Sequence, residues 1–166
     1  MDVVIFTLQT EAGPRRCAVE TGVVEEVIPL GVVTPVPSAP PAVAGAMNVR
    51  GQVCPVLQLG EVLRASRSAG DSSPRAGHPC LLISAGENRV VLCVGHIEEV
   101  ARVTGGLLTS AGRDMLVSGI LDSHRGPLRL VDAERVVDRV AREVERLAAG
   151  VMGERPAPDH RDGATT

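Results

Sequence analysis

The chain has 166 residues, of which 44% are hydrophobic and 1% aromatic, and its formal net charge at pH 7 is −3. This composition argues against nucleic acid as a partner, because the chain has no basic field to release counterions and too few aromatic rings to stack bases. No apolar run reaches the roughly 18 residues of a membrane span, so we expect no membrane insertion. The length allows one sizeable domain or two small fused ones.

The first elements look like short strands. The opening segment MDVVIFTLQT alternates like a strand and has an acid at its second residue, so we expect no signal peptide and a cytoplasmic location. A second strand-like run, RRCAV, leads into Val24-Glu25-Glu26-Val27. We interpret the two glutamates as a solvated face, although a binding site is the alternative.

A predicted hairpin, GAMNVRGQVCPVLQL, begins at Gly45. Gly51-Gln52 reads as its tight turn, because glycine accepts the positive φ that such turns need. Strand alternation points Val49 into the core and leaves Arg50 at the exposed lip of the hairpin. Arg50 is therefore either a solvated edge residue or a contact for a partner.

The second half repeats the first. Ile97-Glu98-Glu99-Val100 follows the strand pair CLLISAGENRVVLCV, and GILDSHRGPLRLV forms a second hairpin with Arg125-Gly126 in its turn. The copies stand about 73 to 75 residues apart. About five short strands per half close best as a small barrel. We predict a first barrel over residues 2–64, an exposed linker over 65–77 and a second barrel over 78–131.

A C-terminal helix is predicted over residues 132–149, with Asp132 as its N-cap. Its apolar face is more typical of core packing than of a partner site and comprises Val136, Val137, Val140, Val144 and Leu147. Gly150 is expected to end the helix, and residues 150–166 are expected to form a disordered tail.

No catalytic motif stands out, which makes an enzyme a poor interpretation. The chain has neither a G-x-S-x-G motif nor a phosphate-binding loop of the G-x-x-x-x-G-K-[ST] type. The four cysteines form no C-x-x-C pair and are expected to be buried thiols, with a disulfide or a zinc site as the alternative. We assign no metal and no cofactor. A small-ligand sensor remains a rival function.

The hairpin carries a resemblance to a known family. Gly45-x-x-Asn48-x-Arg50-Gly51-x-x-x-Pro55-x-x-x-Leu59 resembles the signature G-x-x-N-x-R-G-x-x-x-P-x-x-D-L of the CheW-like domain of chemotaxis coupling proteins. The resemblance covers residues 2–147 and implies a mainly β fold of two five-stranded SH3-like barrels with a C-terminal α-helix, in one domain over 1–149. It also implies a non-enzymatic adaptor. One surface would bind the regulatory domain of a CheA-type histidine kinase, and a groove between the barrels would bind the cytoplasmic tip of a chemoreceptor.

The resemblance also implies which residues bind partners. Val24, Glu26, Gly45 and Arg50 match positions of receptor or array contacts, and Asn48, Gly51 and Pro55 match the hairpin that shapes the groove wall. For Asn48 and the glycines, turn geometry is the alternative role. The family has Asp where this chain has Gln58 and Gly95. These departures allow a divergent scaffold, serving a gliding, pilus or other pathway and binding one partner alone.

Overall fold

The structure is a computed structural model that describes residues 1–10, 12–63, 74–104, 107–108 and 116–153. Most of the predicted linker and the end of the predicted tail lie outside these residues. In the described part, alternating apolar residues form eleven strands. The strands are β1 (Asp2–Thr10), β2 (Gly13–Glu20), β3 (Val24–Pro29), β4 (Val43–Val49), β5 (Gln52–Gln58), β6 (Pro79–Ala85), β7 (Asn88–Cys93), β8 (His96–Arg102), β9 (Leu107–Leu108), β10 (Val117–Leu121) and β11 (Leu128–Val131). The helices are α1 (Leu59–Val62) and α2 (Ala133–Gly153), and Thr21–Val23 form a 3-10 turn.

The strands pair as two sheets. The strand order is β8-β1-β2-β11-β10-β9 in the first sheet and β3-β6-β7-β5-β4 in the second. The predicted fold class is confirmed: the chain is mainly β, with two SH3-like sheets and a C-terminal helix. In the described residues the first sheet has six strands where five were expected, and the second has five. The division into barrels at 2–64 and 78–131 differs from the observed pairing, because each sheet takes strands from both halves of the chain. Parallel pairing of β11 with β2 and of β5 with β7 joins the halves.

The internal repeat corresponds to two equivalent strand arrangements. In each sheet the Glu-Glu segment forms an edge strand, β3 or β8, that pairs antiparallel with the first strand of a hairpin. In each sheet the Arg-Gly hairpin, β4–β5 or β10–β11, lies towards the other end of the order. The halves of the sequence are therefore related, but they exchange strands.

Each sheet has an interior of its own, and the two sheets share a core. One apolar cluster lies within the second sheet and includes Met47 and Val56, and another lies within the first sheet and includes Ile5 and Leu128. The third cluster joins both sheets to α1 and α2 and includes the fully buried Phe6. Successive side chains of a strand point to opposite faces, so one strand serves both its own interior and the shared core.

Helix α2 begins as predicted and ends later. The Asp132 carboxylate accepts a hydrogen bond of 3.0 Å from the Arg135 N–H, as an N-cap does. The helix continues through Gly150 to Gly153. Gly150 was expected to end it, but one glycine in a helix costs only about 1 kcal/mol. No helix among the described residues is long and apolar enough to cross a membrane.

The apolar face of α2 serves two purposes. Its first half is buried in the shared core, through Val136, Val137 and Val140. Its second half is not, since Val144 is 42% and Leu147 44% exposed. The prediction of core packing is therefore right for the first two turns and wrong for the next two.

Candidate protein-binding site

The β4–β5 turn has an unusual conformation. Val49 pairs with Gln52, and the two residues between them have positive φ, +52° at Arg50 and +87° at Gly51. These are the signs of a type I′ turn, which fits the twist of a hairpin. The turn therefore starts one residue earlier than predicted. Arg50 adopts a left-handed conformation that costs a residue with a Cβ about 1 to 2 kcal/mol.

Neighbouring side chains stabilise this turn. The Asn48 carboxamide oxygen accepts a hydrogen bond of 2.7 Å from the Gly51 N–H, which is the turn-stabilising role considered for Asn48. Val49 is buried beneath the turn, as strand alternation predicts, and the Arg50 side chain is 68% exposed. Arg50 is thus held in place by its backbone while its guanidinium faces outward.

Arg50 forms an ion pair with Glu26. Its Nη2 lies 2.5 Å from the Glu26 Oε2, and the glutamate side chain is 41% exposed. In solvent such a pair contributes about 0 to 1 kcal/mol to stability. The structure therefore brings together two of the predicted site residues, one from β3 and one from the β4–β5 turn.

Glu25, the neighbour of Glu26, is also ion-paired. Its carboxylate binds the Arg89 guanidinium at 2.5 Å and the Ser84 hydroxyl at 2.9 Å. These two hydrogen bonds, that of Arg89 first, hold the pKa of Glu25 below its usual value. Arg89 also donates to the Gln52 carboxamide oxygen at 2.9 Å, which ties β7 to the hairpin. Glu25 and Glu26 thus lie on a solvent-exposed face, as interpreted from the sequence, and each is ion-paired there.

A second network of the same design lies in the first sheet. Glu98 accepts hydrogen bonds from Arg16, at 2.9 Å, and from the Thr7 hydroxyl, and these hold its pKa below the usual value. The two side chains of this ion pair are only 20% and 18% exposed. Arg125 lies 3.6 Å from Glu99, in the place that Arg50 has beside Glu26. The contact of Arg125 with Glu99 is looser than that of Arg50 with Glu26, because 3.6 Å is too long for a hydrogen bond.

Gly45 is required by close backbone packing. Thr34 forms a bridge with Ala46, donating at 2.8 Å and accepting at 2.9 Å. A Cβ on Gly45 would clash with the Thr34 carbonyl and the Val33 side chain, and the glycine has φ +151°. Gly45 therefore serves backbone geometry, which was the alternative to a partner-binding role.

An apolar groove of about 980 Å³ lies between the β4–β5 hairpin and the second half of α2. Gly45 and Pro55 line it, as do exposed apolar side chains that the sequence analysis did not assign to a site. These are Val36, Val53, Val144 and Leu147. The sequence contained a signal for Val144 and Leu147, because the apolar face of α2 extends beyond the residues that are buried in the core.

The seven predicted residues thus occupy four places. Glu26 and Arg50 form the exposed ion pair, and Asn48 and Gly51 shape the turn. Gly45 and Pro55 line the groove. Val24 lies apart from them, half-buried against the shared core. Among the described residues, no cluster of three or more His, Cys, Asp or Glu could hold a metal ion.

The two departures from the family pattern have different surroundings. Gln58 is the N-cap residue of α1, and its side chain makes no capping hydrogen bond. Gly95 packs directly on β1, where any Cβ would clash with the Thr7 carbonyl. An aspartate could be accommodated at position 58 but not at position 95 without a shift of the backbone.

Comparison with known proteins agrees with this architecture. The chain is similar in fold to the scaffolding protein TtCheW from Thermoanaerobacter tengcongensis, with a TM-score of 0.68 and 19% identity over 81% of this chain and 90% of that one. A comparison with curated proteins finds no match. The family model of the CheW-like domain matches residues 2–141. The chain belongs to the CheW-like domain family.

Proposed function

We propose that the protein is a non-enzymatic adaptor that couples chemoreceptors to a CheA-type histidine kinase. The observation that carries this proposal is the groove with exposed apolar side chains beside an ion-paired hairpin turn. Membership of a family of scaffold-type domains supports it. The proposal assigns one surface to each partner.

The groove suits a partner helix. Val53 of β5 is 71% exposed and faces the same groove as Val144 and Leu147 of α2. An amphipathic helix binds such a groove by inserting its apolar face. We assign to this groove the helical cytoplasmic tip of a chemoreceptor that the family resemblance implies. The groove lies between the second sheet and α2, and not between two barrels as expected.

The exposed Arg50–Glu26 ion pair at the β4–β5 turn, called the lip below, is suited to binding a protein domain. Arg50 presents a planar group with several N–H donors at an exposed turn, and Glu26 presents carboxylate oxygens beside it. Together they offer donors and acceptors to the edge of a partner. We assign this lip to the CheW-like regulatory domain of the kinase.

The test uses matched variants of the full chain. We expect Leu147→Asp to weaken binding of a receptor-tip fragment at least tenfold in calorimetry, because it places a charge in the groove. Val32→Asp is the control, since Val32 is 88% exposed and does not line the groove. Equal binding by the two variants would contradict the assignment of the groove.

The kinase arm of the test has its own control. We expect Arg50→Glu to weaken binding of the kinase regulatory domain at least tenfold. The change removes the guanidinium donors offered to the partner and places a second negative charge beside Glu26. Arg102→Glu is the control, since Arg102 forms a similarly exposed ion pair with Asp2. If the wild type binds only one of the two partners, the protein is instead a divergent scaffold of the kind that the departures at Gln58 and Gly95 allow.

A further inference from the structure

Two buried cysteines face each other on adjacent strands. The Sγ atoms of Cys80 on β6 and Cys93 on β7 are 3.2 Å apart, within hydrogen-bond distance for thiols. The antiparallel register pairs Leu81 with Leu92, so its continuation places the two cysteines opposite each other. Cys80 is 0% and Cys93 7% exposed.

The other two cysteines differ in their surroundings. Cys54 lies on β5 in the same apolar cluster, and Cys17 lies on β2 in the core shared by the sheets. All four are free thiols. Among the described residues, the structure records a thiol–thiol contact only for Cys80 with Cys93. All four cysteines are buried, so what distinguishes Cys80 and Cys93 is that they lie opposite each other.

We propose that Cys80 and Cys93 are a modification site at which a hydroperoxide converts the two thiols into an internal disulfide. In the first step the Cys80 thiolate attacks the peroxide, the O–O bond breaks, and hydroxide leaves as a sulfenic acid forms on Cys80. In the second step the Cys93 sulfur attacks that sulfur, the S–O bond breaks, and water leaves. Two thiols and one hydrogen peroxide thus give one disulfide and two waters.

The geometry needs only a small movement to reach the product. Opposed residues of an antiparallel pair have Cα atoms about 4.5 to 5.5 Å apart, within the range that a disulfide spans. The Sγ atoms must approach from 3.2 Å to about 2.05 Å, by side-chain rotation and small backbone adjustments. We therefore expect the oxidised protein to keep its fold.

The order of the two steps follows from the contact. The contact between the two thiols lowers the pKa of Cys80, whereas the same contact and burial raise the pKa of Cys93. The thiolate is the form of cysteine that reacts with peroxide. Cys80 is therefore assigned the first attack and Cys93 the second. For comparison, burial raises the pKa of Cys17 to about 11.

The sequence makes the test direct, because trypsin separates the four cysteines into different peptides. Cleavage after Arg75, Arg89 and Arg102 gives Cys80 and Cys93 in peptides 76–89 and 90–102. The folded full-length chain is treated with hydrogen peroxide, alkylated with iodoacetamide, digested without reductant and analysed by mass spectrometry. We expect these two peptides to appear linked, lighter by two hydrogens than their sum, and to separate when dithiothreitol is added.

Two variants check the pairing and the order of steps. In Cys93→Ser, which keeps a hydrogen-bonding hydroxyl beside Cys80 but has no second thiol, we expect dimedone to trap a sulfenic acid on Cys80, and in Cys54→Ala we expect the linked peptides at wild-type yield. Sulfoxide at Met1, which is 49% exposed, shows that the oxidant was active. Oxidised Met1 with unlinked Cys80 and Cys93 would overturn the proposal, as would a linkage to Cys17 or Cys54. Circular dichroism before digestion confirms that the treated protein was folded.

Discussion

Glu26 and Arg50 form an ion pair of 2.5 Å although their elements stand three positions apart in one sheet. In a flat sheet, β3 and β5 would lie about 14 Å apart at the usual strand spacing. The sheet must therefore curl until its edge strand approaches the hairpin turn. Glu99 and Arg125 stand in the same relationship in the other sheet, at 3.6 Å. Both sheets are thus rolled in the same way.

Replacing Arg50 by Asn separates the role of the turn from the role of the guanidinium. Asn tolerates left-handed backbone, and Asn-Gly is the preferred pair of a type I′ turn, so we expect stability to rise by about 0.5 kcal/mol. Kinase binding is expected to weaken by about 1 to 3 kcal/mol, the range of interface residues that matter. Urea unfolding and calorimetry measure the two effects.

Arg125→Ala is the matched control for the second hairpin. We expect it to change partner affinity by less than about 1 kcal/mol, as for an exposed charge. A loss as large as that of the Arg50 variant would show that the two hairpins bind alike. Lower stability of Arg50→Asn would instead show that the ion pair outweighs the strain of the turn.

Two glycines of the hairpin are expected to respond differently to alanine. Gly45→Ala places a methyl group against the Thr34 carbonyl and should lower the free energy of unfolding by more than about 2 kcal/mol. Gly51→Ala meets nothing within 4 Å and should cost only the backbone conformation, about 1 kcal/mol. Urea unfolding of both variants measures the difference, and equal costs would show that the bridge at Thr34 yields easily.

Restoring aspartate at the two departures should have opposite effects. Gln58→Asp supplies an N-cap carboxylate for α1, and we expect a gain of about 0.5 to 1 kcal/mol. Gly95→Asp requires β1 to move, and we expect a loss of more than about 2 kcal/mol. Thermal unfolding of the two single variants tests both signs. A stable Gly95→Asp protein would show that β8 can shift away from Thr7.

The two halves of α2 should differ in their contribution to stability. Val136 is 1% exposed, so Val136→Ala is expected to cost about 1 to 3 kcal/mol by leaving a cavity. Val144→Ala, on the same helix but 42% exposed, should cost less than about 0.5 kcal/mol. It should weaken receptor binding instead. Similar unfolding midpoints would contradict the division of this helix into a core half and a groove half.

The Glu98 network should make stability depend on pH. Because the pKa of Glu98 is lowered in the folded state, its contribution is present above the usual value of 4.5 and is lost as pH falls through the folded pKa. Glu98→Gln should therefore be less stable than the wild type by about 1 to 2 kcal/mol at pH 7, and the gap should narrow by pH 3. Urea unfolding at both pH values measures it. Glu20→Gln, at an exposed position, controls for net charge, and a gap that does not depend on pH would contradict the assignment.

Local features of this protein could be read from its sequence. Apolar alternation indicated the strands, Asp132 indicated the start of α2, and Gly51 indicated a hairpin turn, placed one residue too late, since each depends on neighbours within a few residues. The family signature indicated the fold class, because it spans a complete hairpin. The internal repeat indicated two equivalent units.

The partners of these local elements were decided by tertiary structure. Which strand lies beside β1 or β6 depends on packing between residues far apart in the chain, and alternation is the same for every candidate partner. For that reason the two sheets exchange strands where contiguous halves were expected. The same holds for the contacts of Arg50 with Glu26 and of Cys80 with Cys93. The sequence shows the polarity of each side chain, but which side chain lies beside it depends on how the strands pair and how the sheet curls.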